Sequence, residues 1–209
     1  MKIFHPKAGL QLVEYLALEQ EMVKEVAETT FFTWIAPPTV IYGHHQSAEA
    51  EVNETFCREH GIAVVQRKSG GGCVYADRGN LMLSLISPST HSEQVFGDFL
   101  RMIQDVLQSA GLPAVTTAHN DILIDGRKVS GCASFKASTG TIVHGTLLYD
   151  VDIETMMRAI TPSQKKLTKH GVASVRQRVV NIREITNQFV TIEDLQSYVT
   201  ERLAARMDD

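Results

Sequence analysis

Apolar side chains recur along parts of this chain with the spacing of a helix, and elsewhere they cluster in short runs. At residues 12–26 and 94–110 they recur every three or four positions, which predicts amphipathic helices. A further helix is predicted at residues 192–207, where Thr191 and Asp194 fit a capping box at its start. Shorter helices are predicted at residues 48–60 and 153–160.

Short runs rich in β-branched and aromatic residues predict strands between these helices. Asp125-Gly126 is the strongest hairpin signal in the chain. Because strands follow one another in hairpin-like runs instead of alternating strictly with helices, the pattern predicts an α+β fold with mixed, mostly antiparallel sheets flanked by helices. We expect a single domain over residues 1–209. The predicted strands are residues 31–36, 39–42, 62–66 (a buried strand), 73–75, 81–86, 122–124, 129 onward and 142–149.

Composition narrows the classes of partner. A net charge of -4 and a pI near 6.1 provide no broad cationic surface, which argues against nucleic-acid binding. No apolar run is long enough for a transmembrane helix or a secretory signal, so we expect a cytoplasmic protein without membrane contact. The cysteines Cys57, Cys73 and Cys132 are widely spaced and predict neither a disulfide framework nor a zinc site.

Ser69 opens a run of three glycines, residues 70–72, between two predicted strands. Without Cβ atoms such a loop can adopt positive φ and turn successive N–H groups toward phosphate or carboxylate oxygens. Arg67 and Lys68 add positive charge beside it. The alternative is a plain glycine-rich turn with two solvated cations, since the loop matches neither GxGxxG nor a Walker sequence.

Two further signals lie downstream. Lys128 follows the predicted hairpin turn among small residues, where its ammonium suits phosphate oxygens and a reacting carboxylate. Asp121 is a candidate to help place a metal ion or to orient that lysine. His144 and Gly145 begin an apolar strand, where glycine permits close approach of a ligand. A solvated lysine and a structural histidine are the alternatives.

In their order along the chain, these motifs resemble the lipoate-protein ligase family, catalytic domain only. The family's SGGG segment, its ND pair with KxSGxA, its HGTLL segment and its KGxxSVxxRVxNL segment all have counterparts. The matching blocks are Arg67, Ser69 to Gly72, Val74-Tyr75, Asp77 and Gly79-Asn80, then Asn120-Asp121 with Lys128 to Ala133, then His144 to Leu148, and finally Lys169 to Ile182.

The resemblance implies a biotin/lipoate ligase-like fold and a two-step reaction. Lipoate would be activated by ATP with Mg²⁺ to lipoyl-AMP, and the lipoyl group would pass to a lysine of a lipoyl-domain protein. The acceptors would be E2 subunits of 2-oxoacid dehydrogenases or the glycine cleavage H protein. Lys128 would be catalytic, Arg67 would hold a phosphate, and Asp121 is the candidate metal ligand. The implied ATP- and lipoyl-AMP-binding residues are Arg67, Ser69, Gly70, Gly71, Gly72, Cys73, Val74, Tyr75, Asn80, Asn120, Asp121, Lys128, Gly131, His144, Gly145 and Thr146.

The chain also departs from the family. His44 stands in place of an arginine, Ala76 in place of a histidine, and Val143 in place of the first histidine of HHG, all near the expected pocket. Two-domain members continue into a small C-terminal accessory domain, whereas this chain stops at Asp209. We therefore expect the accessory domain to be absent, and adenylation either to require a separate accessory subunit or to be lost.

Two other functions stay open. The first is a related octanoyl or lipoyl transferase that works through a cysteine thioester. Its cysteine positions correspond here to residues 161–163, which read Thr-Pro-Ser, and to Ala118-His119. Cys73 and Cys132 occupy positions where the family has small residues, so we assign them packing roles. The second is a non-catalytic module that retains a lipoyl-binding pocket.

Overall fold

The computed structural model describes residues 1–117, 120–160 and 178–205. Within those ranges the strands form two sheets, of seven and three strands. The larger sheet runs in the order β1 (Lys2–Ile3), β2 (Thr30–Trp34), β6 (Asn80–Ser87), β10 (Thr141–Leu148), β9 (Arg127–Lys136), β8 (Asp121–Ile124) and β7 (Ala114–Thr116). The smaller runs in the order β4 (Ala63–Gln66), β3 (Thr39–Tyr42) and β5 (Val74–Ala76).

Only the β1/β2 and β3/β4 pairs among these strands are parallel, and the remaining pairs are antiparallel. Helices flank both sheets. The predicted α+β class with mixed, mostly antiparallel sheets is therefore confirmed. The helices are α1 (Leu12–Glu25), α2 (Ala48–Glu51), α3 (Glu54–Glu59), α4 (Ser92–Ser109), α5 (Ile153–Ala159), α6 (Ile182–Ile185) and α7 (Ile192–Ala205).

The central strand β6 separates two hydrophobic layers. Its odd-numbered residues from Leu81 to Leu85 pack with α4 and α7, whereas Met82 and Ile86 pack with α1. This division follows from the two-residue period of a strand, because successive side chains point to opposite faces of the sheet. The face beneath α1 also carries the polar Ser84 and, on β10, His144, which are register partners.

The predicted hairpin turn and the predicted capping box are both confirmed. Asp125 and Gly126 both have positive φ, at 49° and 73°, as a two-residue type I′ hairpin requires. Thr191 Oγ1 accepts a hydrogen bond from Asp194 N at 3.2 Å, and Thr191 N donates to Asp194 Oδ2 at 2.8 Å. This reciprocal pair is the predicted capping box.

Two of the predicted elements, one helix and one strand, differ from the structure. Residues 48–60 form two short helices instead of one, because Val52 leaves the helix to bridge Ile160 and Asn53 caps the second helix through Phe56 N. The strand at 62–66 is not buried. It is the outer strand β4, and Val64 is exposed.

Some predicted features lie outside the described residues. These are the final turn of the last helix beyond residue 205, most of the block at 169–182, the Thr-Pro-Ser segment at 161–163 and Ala118-His119. Among the helices that are described, none combines the length and apolar character needed to cross a bilayer.

Candidate active site

A cavity of about 290 Å³ lies between α1, the glycine loop and the face of the large sheet beneath α1. All the predicted site residues line it except Ser69, Gly70, Tyr75 and Asn80. Sequence motifs separated by more than 70 residues are thus brought to one place. The apolar members of the wall that lie outside the motifs are Leu12, Leu16, Trp34, Ile41 and Met82, and Ala133 of the KxSGxA block also lines it.

Of the four remaining predicted residues, Ser69 and Gly70 contact residues of this wall, and Tyr75 and Asn80 are buried. The Ser69 side chain contacts His144, and the Gly70 carbonyl accepts hydrogen bonds from Arg67. Tyr75 is buried in the core of the smaller sheet. Asn80 is fully buried, and neither its Oδ1 nor its Nδ2 has a hydrogen-bond partner. An unpartnered buried amide is costly, so Asn80 stands out among the buried polar residues of the described chain.

The conformation of the glycine loop requires glycine at particular positions. Gly71 has φ 89°, and a Cβ built on Gly43 would lie 2.3 Å from the Gly71 carbonyl oxygen. The loop therefore depends on glycine at two points, one for backbone conformation and one for close approach.

Arg67 holds this loop from within. Its guanidinium donates to the Gly70 oxygen at 2.7 Å and 3.2 Å, to the Gly72 oxygen at 2.7 Å and to the Ile41 oxygen at 3.1 Å. Burial lowers the pKa of the guanidinium. The structure thus gives Arg67 a loop-shaping position on the cavity wall, and its contact with a phosphate stays a prediction.

Lys128 reaches the cavity from β9. Its Nζ lies 2.7 Å from Asp121 Oδ1, with the two side chains about one-third exposed (35% and 27%). A Cβ on Gly131 would lie 2.9 Å from this Nζ, so glycine at that position leaves the space that the lysine crosses. The pairing agrees with a lysine oriented by Asp121. No group of three metal-ligating side chains occurs in the described ranges.

His144 takes part in a buried network that sequence reasoning missed. Its Nδ1 lies 3.0 Å from Glu19 Oε2, and Ser84 Oγ donates to Glu19 Oε1 at 2.5 Å. Glu19 is 1% exposed. A signal was present, because Glu19 follows Leu12 and Tyr15 at helical spacing and so shares the buried face of α1.

The cysteines beside the cavity are poor nucleophiles. Burial raises the pKa of Cys73 to about 12 and that of Cys132 to about 12, while the pKa of Cys57 is also raised. The thiolate is the reactive form of cysteine, and these environments disfavour it. Cys132 packs so closely on Gly145 that a Cβ there would lie 2.8 Å from its sulfur.

The residues that depart from the family pattern do not line the cavity. His44 is exposed, although its N–H donates to the Ser69 carbonyl at 3.0 Å. Ala76 is buried in the layer that contains α1. Val143 packs on the opposite face of the sheet from His144, so the expectation that it lies near the pocket is wrong.

Residues 11–204 match the family model described as the lipoyl protein ligase A/B catalytic domain. Over 191 residues, 90% of the chain, the sequence is 36% identical to lipoate-protein ligase 1 of Staphylococcus aureus. The chain spans 58% of that relative's length.

Two solved structures share the fold. One is a bi-partite lipoate protein ligase with its E2 lipoyl domain from Thermoplasma acidophilum, with a TM-score of 0.80 at 21% identity over 99% of this chain and 82% of that one. The other is a lipoate-protein ligase A bound with ATP, with a TM-score of 0.83 at 20% identity over 99% and 85%.

Proposed function

Since the chain belongs to the lipoyl protein ligase A/B catalytic domain family, we propose that it activates lipoate with ATP and transfers the lipoyl group to a lysine of a lipoyl-domain protein. The observation that carries this proposal is the single cavity in which Lys128, the glycine loop and an apolar wall meet. Such a cavity can hold an apolar chain and an anionic centre together.

The apolar wall suits the hydrocarbon part of a lipoyl group, and the polar residues suit its carboxylate and the ATP phosphates. Gly71 and Gly72 contribute backbone to the wall beside Lys128. The unpartnered amide of Asn80 shares a strand face with Met82, a residue of the wall. It therefore fits a polar group of the bound adenylate.

The first step would join the lipoate carboxylate to the α-phosphorus of ATP. An oxygen–phosphorus bond forms, the bond to pyrophosphate breaks, and lipoyl-AMP remains. Negative charge grows on phosphate oxygens during this step, and the Lys128 ammonium would stabilise it from a position already set by Asp121. In the second step the acceptor lysine amine attacks the acyl carbonyl and AMP leaves.

Mg²⁺ would accompany ATP, chiefly on phosphate oxygens and water, because this ion commonly uses only one or two protein carboxylates. Asp121 is the carboxylate that lines the cavity and the residue we propose for that contact. Its pairing with Lys128 leaves Oδ2 as the oxygen not used in the ion pair.

The acceptors we propose are lipoyl domains such as E2 subunits or the H protein. The ligase-fold structure from Thermoplasma acidophilum is described with an E2 lipoyl domain, which supports this class of partner. That ligase is also described as bi-partite, so we propose that the present chain can work with a separate accessory subunit.

The proposal is tested by incubating the chain with lipoate, ATP, Mg²⁺ and an apo lipoyl domain, with and without a candidate accessory subunit. Mass spectrometry should show one lipoyl group on the acceptor lysine, and omission of ATP should abolish it. Lipoylation from an acyl thioester without ATP would support the transferase instead. Lipoate binding without any transfer would support a non-catalytic module.

A further inference from the structure

A continuous chain of side-chain hydrogen bonds crosses the molecule beneath α1. Trp34 Nε1 donates to Ser84 Oγ at 2.8 Å, and Ser84 donates to Glu19 at 2.5 Å. Glu19 meets His144 Nδ1 at 3.0 Å, and His144 Nε2 meets Ser69 Oγ at 2.7 Å. The chain thus joins β2, β6, α1 and β10 to the first residue of the glycine loop.

The direction of these bonds follows from the donors available. The indole N–H of Trp34 can only donate, so Ser84 Oγ accepts from it and directs its own proton to Glu19. A Glu19 carboxylate then accepts at both oxygens, which assigns the proton of His144 to Nδ1. In the neutral imidazole this leaves Nε2 as the acceptor for the Ser69 hydroxyl.

Burial makes this arrangement necessary for Glu19. With 1% of its surface exposed, its carboxylate would be strongly destabilised unless both oxygens were hydrogen-bonded, and both are. The network also has two contacts with the candidate active site, since Trp34 and His144 line its cavity. Ser69 is additionally held through its carbonyl by the His44 N–H.

We propose that Glu19 is a positioning residue that orients His144, so that His144 holds Ser69 and thereby fixes the start of the glycine loop. The claim rests on the proposed function, because the loop is there assigned to binding ATP and lipoyl-AMP. Glu19 touches neither substrate in this account. It acts through His144 and Ser69, and it lies outside every motif that the family resemblance uses.

The order Glu, His, Ser is also that of a nucleophilic triad, in which the histidine would activate the hydroxyl. Two observations favour positioning. Ser69 is 2% exposed and lines, with Glu19 and His144, a separate cavity beside α1, whereas Gly71 and Gly72 line the candidate active-site cavity. Moreover, the Ser69 carbonyl is hydrogen-bonded to the His44 N–H and its hydroxyl to His144 Nε2. This suits an anchor of the loop better than a nucleophile.

The first readout is the tautomer of His144, measured by nitrogen-15 NMR on the full chain. In Glu19→Gln the amide group can donate to Nδ1 while its oxygen still accepts from Ser84, so the proton of His144 should move to Nε2. Glu25→Gln, the same charge change at an exposed site on α1, should leave the tautomer unchanged.

The second readout is amide hydrogen exchange at His44 without any ligand, because the His44 N–H donates to the Ser69 carbonyl at 3.0 Å. Glu19→Ala and Ser69→Ala should each raise exchange there by roughly tenfold, the effect of losing one stabilising hydrogen bond, and Glu19→Gln should restore most of the protection. The ATP dissociation constant should rise in parallel. Ser69→Ala does not alter α1, so it keeps the test readable if Glu19→Ala fails to fold.

An unchanged tautomer in Glu19→Gln, or wild-type exchange at His44 in both alanine variants, would overturn the proposal. So would an acyl ester trapped on Ser69 during turnover, which would make the serine a nucleophile. If the wild type binds no ATP while the tautomer and exchange changes occur as expected, the proposed function fails and the positioning role of Glu19 stands.

Discussion

Among single residues, Lys128 is the most important to the proposed chemistry. Its position is unusual for a lysine, because Asp121 holds the ammonium at 2.7 Å and Gly131 leaves the space for the side chain to enter the cavity. The sequence indicated this through the small residues around a hairpin lysine. Asp121 was already a candidate to orient this lysine, and the predicted hairpin places β8 beside β9 so that the ion pair can form.

We predict that Lys128→Ala slows lipoyl-AMP formation by roughly 100-fold or more, the scale of losing one electrostatic stabiliser. Lys128→Arg should not restore the rate, since a planar guanidinium cannot reproduce a compact ammonium at the same point. The melting temperature should barely change, because a partly exposed ion pair adds little stability. Rapid-quench measurement of adenylate formation checks the prediction.

Lys24→Ala provides the matched control. Lys24 also pairs with a carboxylate, Glu21 at 2.6 Å, but on the exposed side of α1. It should form lipoyl-AMP at the wild-type rate. Wild-type adenylation by Lys128→Ala, with any required accessory subunit present, would show that Lys128 is only a solvated hairpin lysine.

The cysteines give a second prediction at this scale. Because burial raises the pKa of Cys132 to about 12, its thiolate is much scarcer at neutral pH than that of an ordinary cysteine. Alanine or serine at Cys57, Cys73 and Cys132, singly and together, should therefore leave measurable acyl transfer. A well-folded variant without any transfer, together with an acyl thioester trapped on the wild type, would establish the transferase mechanism instead.

At the scale of elements, the glycine loop is the segment whose sequence most directly predicts its conformation. We predict that Gly71→Val abolishes ATP binding while the fold persists, because valine disfavours φ 89° and its Cβ would lie 3.0 Å from Arg67 Nη2. Calorimetric titration with ATP measures the affinity, and circular dichroism checks the fold.

Gly61→Val separates backbone strain from loss of the site. Gly61 has a similar φ of 65°, but nothing lies within 4 Å of a Cβ built there. Both variants should lose some stability, and only Gly71→Val should lose ATP affinity. Unchanged affinity in a folded Gly71→Val protein would refute the role assigned to the loop.

The remaining elements differ in how well the sequence predicts them. The long periodic helices α1 and α4 were predicted within two residues at each end, because their apolar faces repeat over several turns. β1, β7 and α6 were missed, since two to four residues are too few to display a period. The exposure of β4 depends on its place at a sheet edge, which no local pattern encodes.

The candidate site was predictable to a similar degree. Its polar residues lie in recognisable motifs, whereas most of the apolar wall comes from α1, β2, β3 and β6 and was not identified. Trp34 and Met82 read as ordinary core residues, because a cavity wall and a packed core have the same apolar pattern. Glu19 was missed because one buried carboxylate on a helix gains its meaning only from His144 across the fold.

At the scale of the whole molecule, the fold places chemistry on one face of the large sheet and packing on the other. α4 and α7 cover the face that contains Val143, and α1 covers the face that contains His144. A reactive mixed anhydride formed under α1 would lie beside Lys128 and the glycine loop, with the apolar wall around the lipoyl chain. Limiting access of water in this way would preserve it until an acceptor lysine arrives.

The central claim is that this cavity forms and holds lipoyl-AMP, and single-turnover chemistry tests it most directly. Excess enzyme is mixed with lipoate, Mg²⁺ and ATP labelled at the α-phosphate, with the accessory subunit present and the acceptor absent, and then quenched. We predict that labelled lipoyl-AMP accumulates on the enzyme and disappears as lipoylated product when a lipoyl domain is added. Failure to form the adenylate, while an acyl thioester lipoylates the acceptor, would contradict the account.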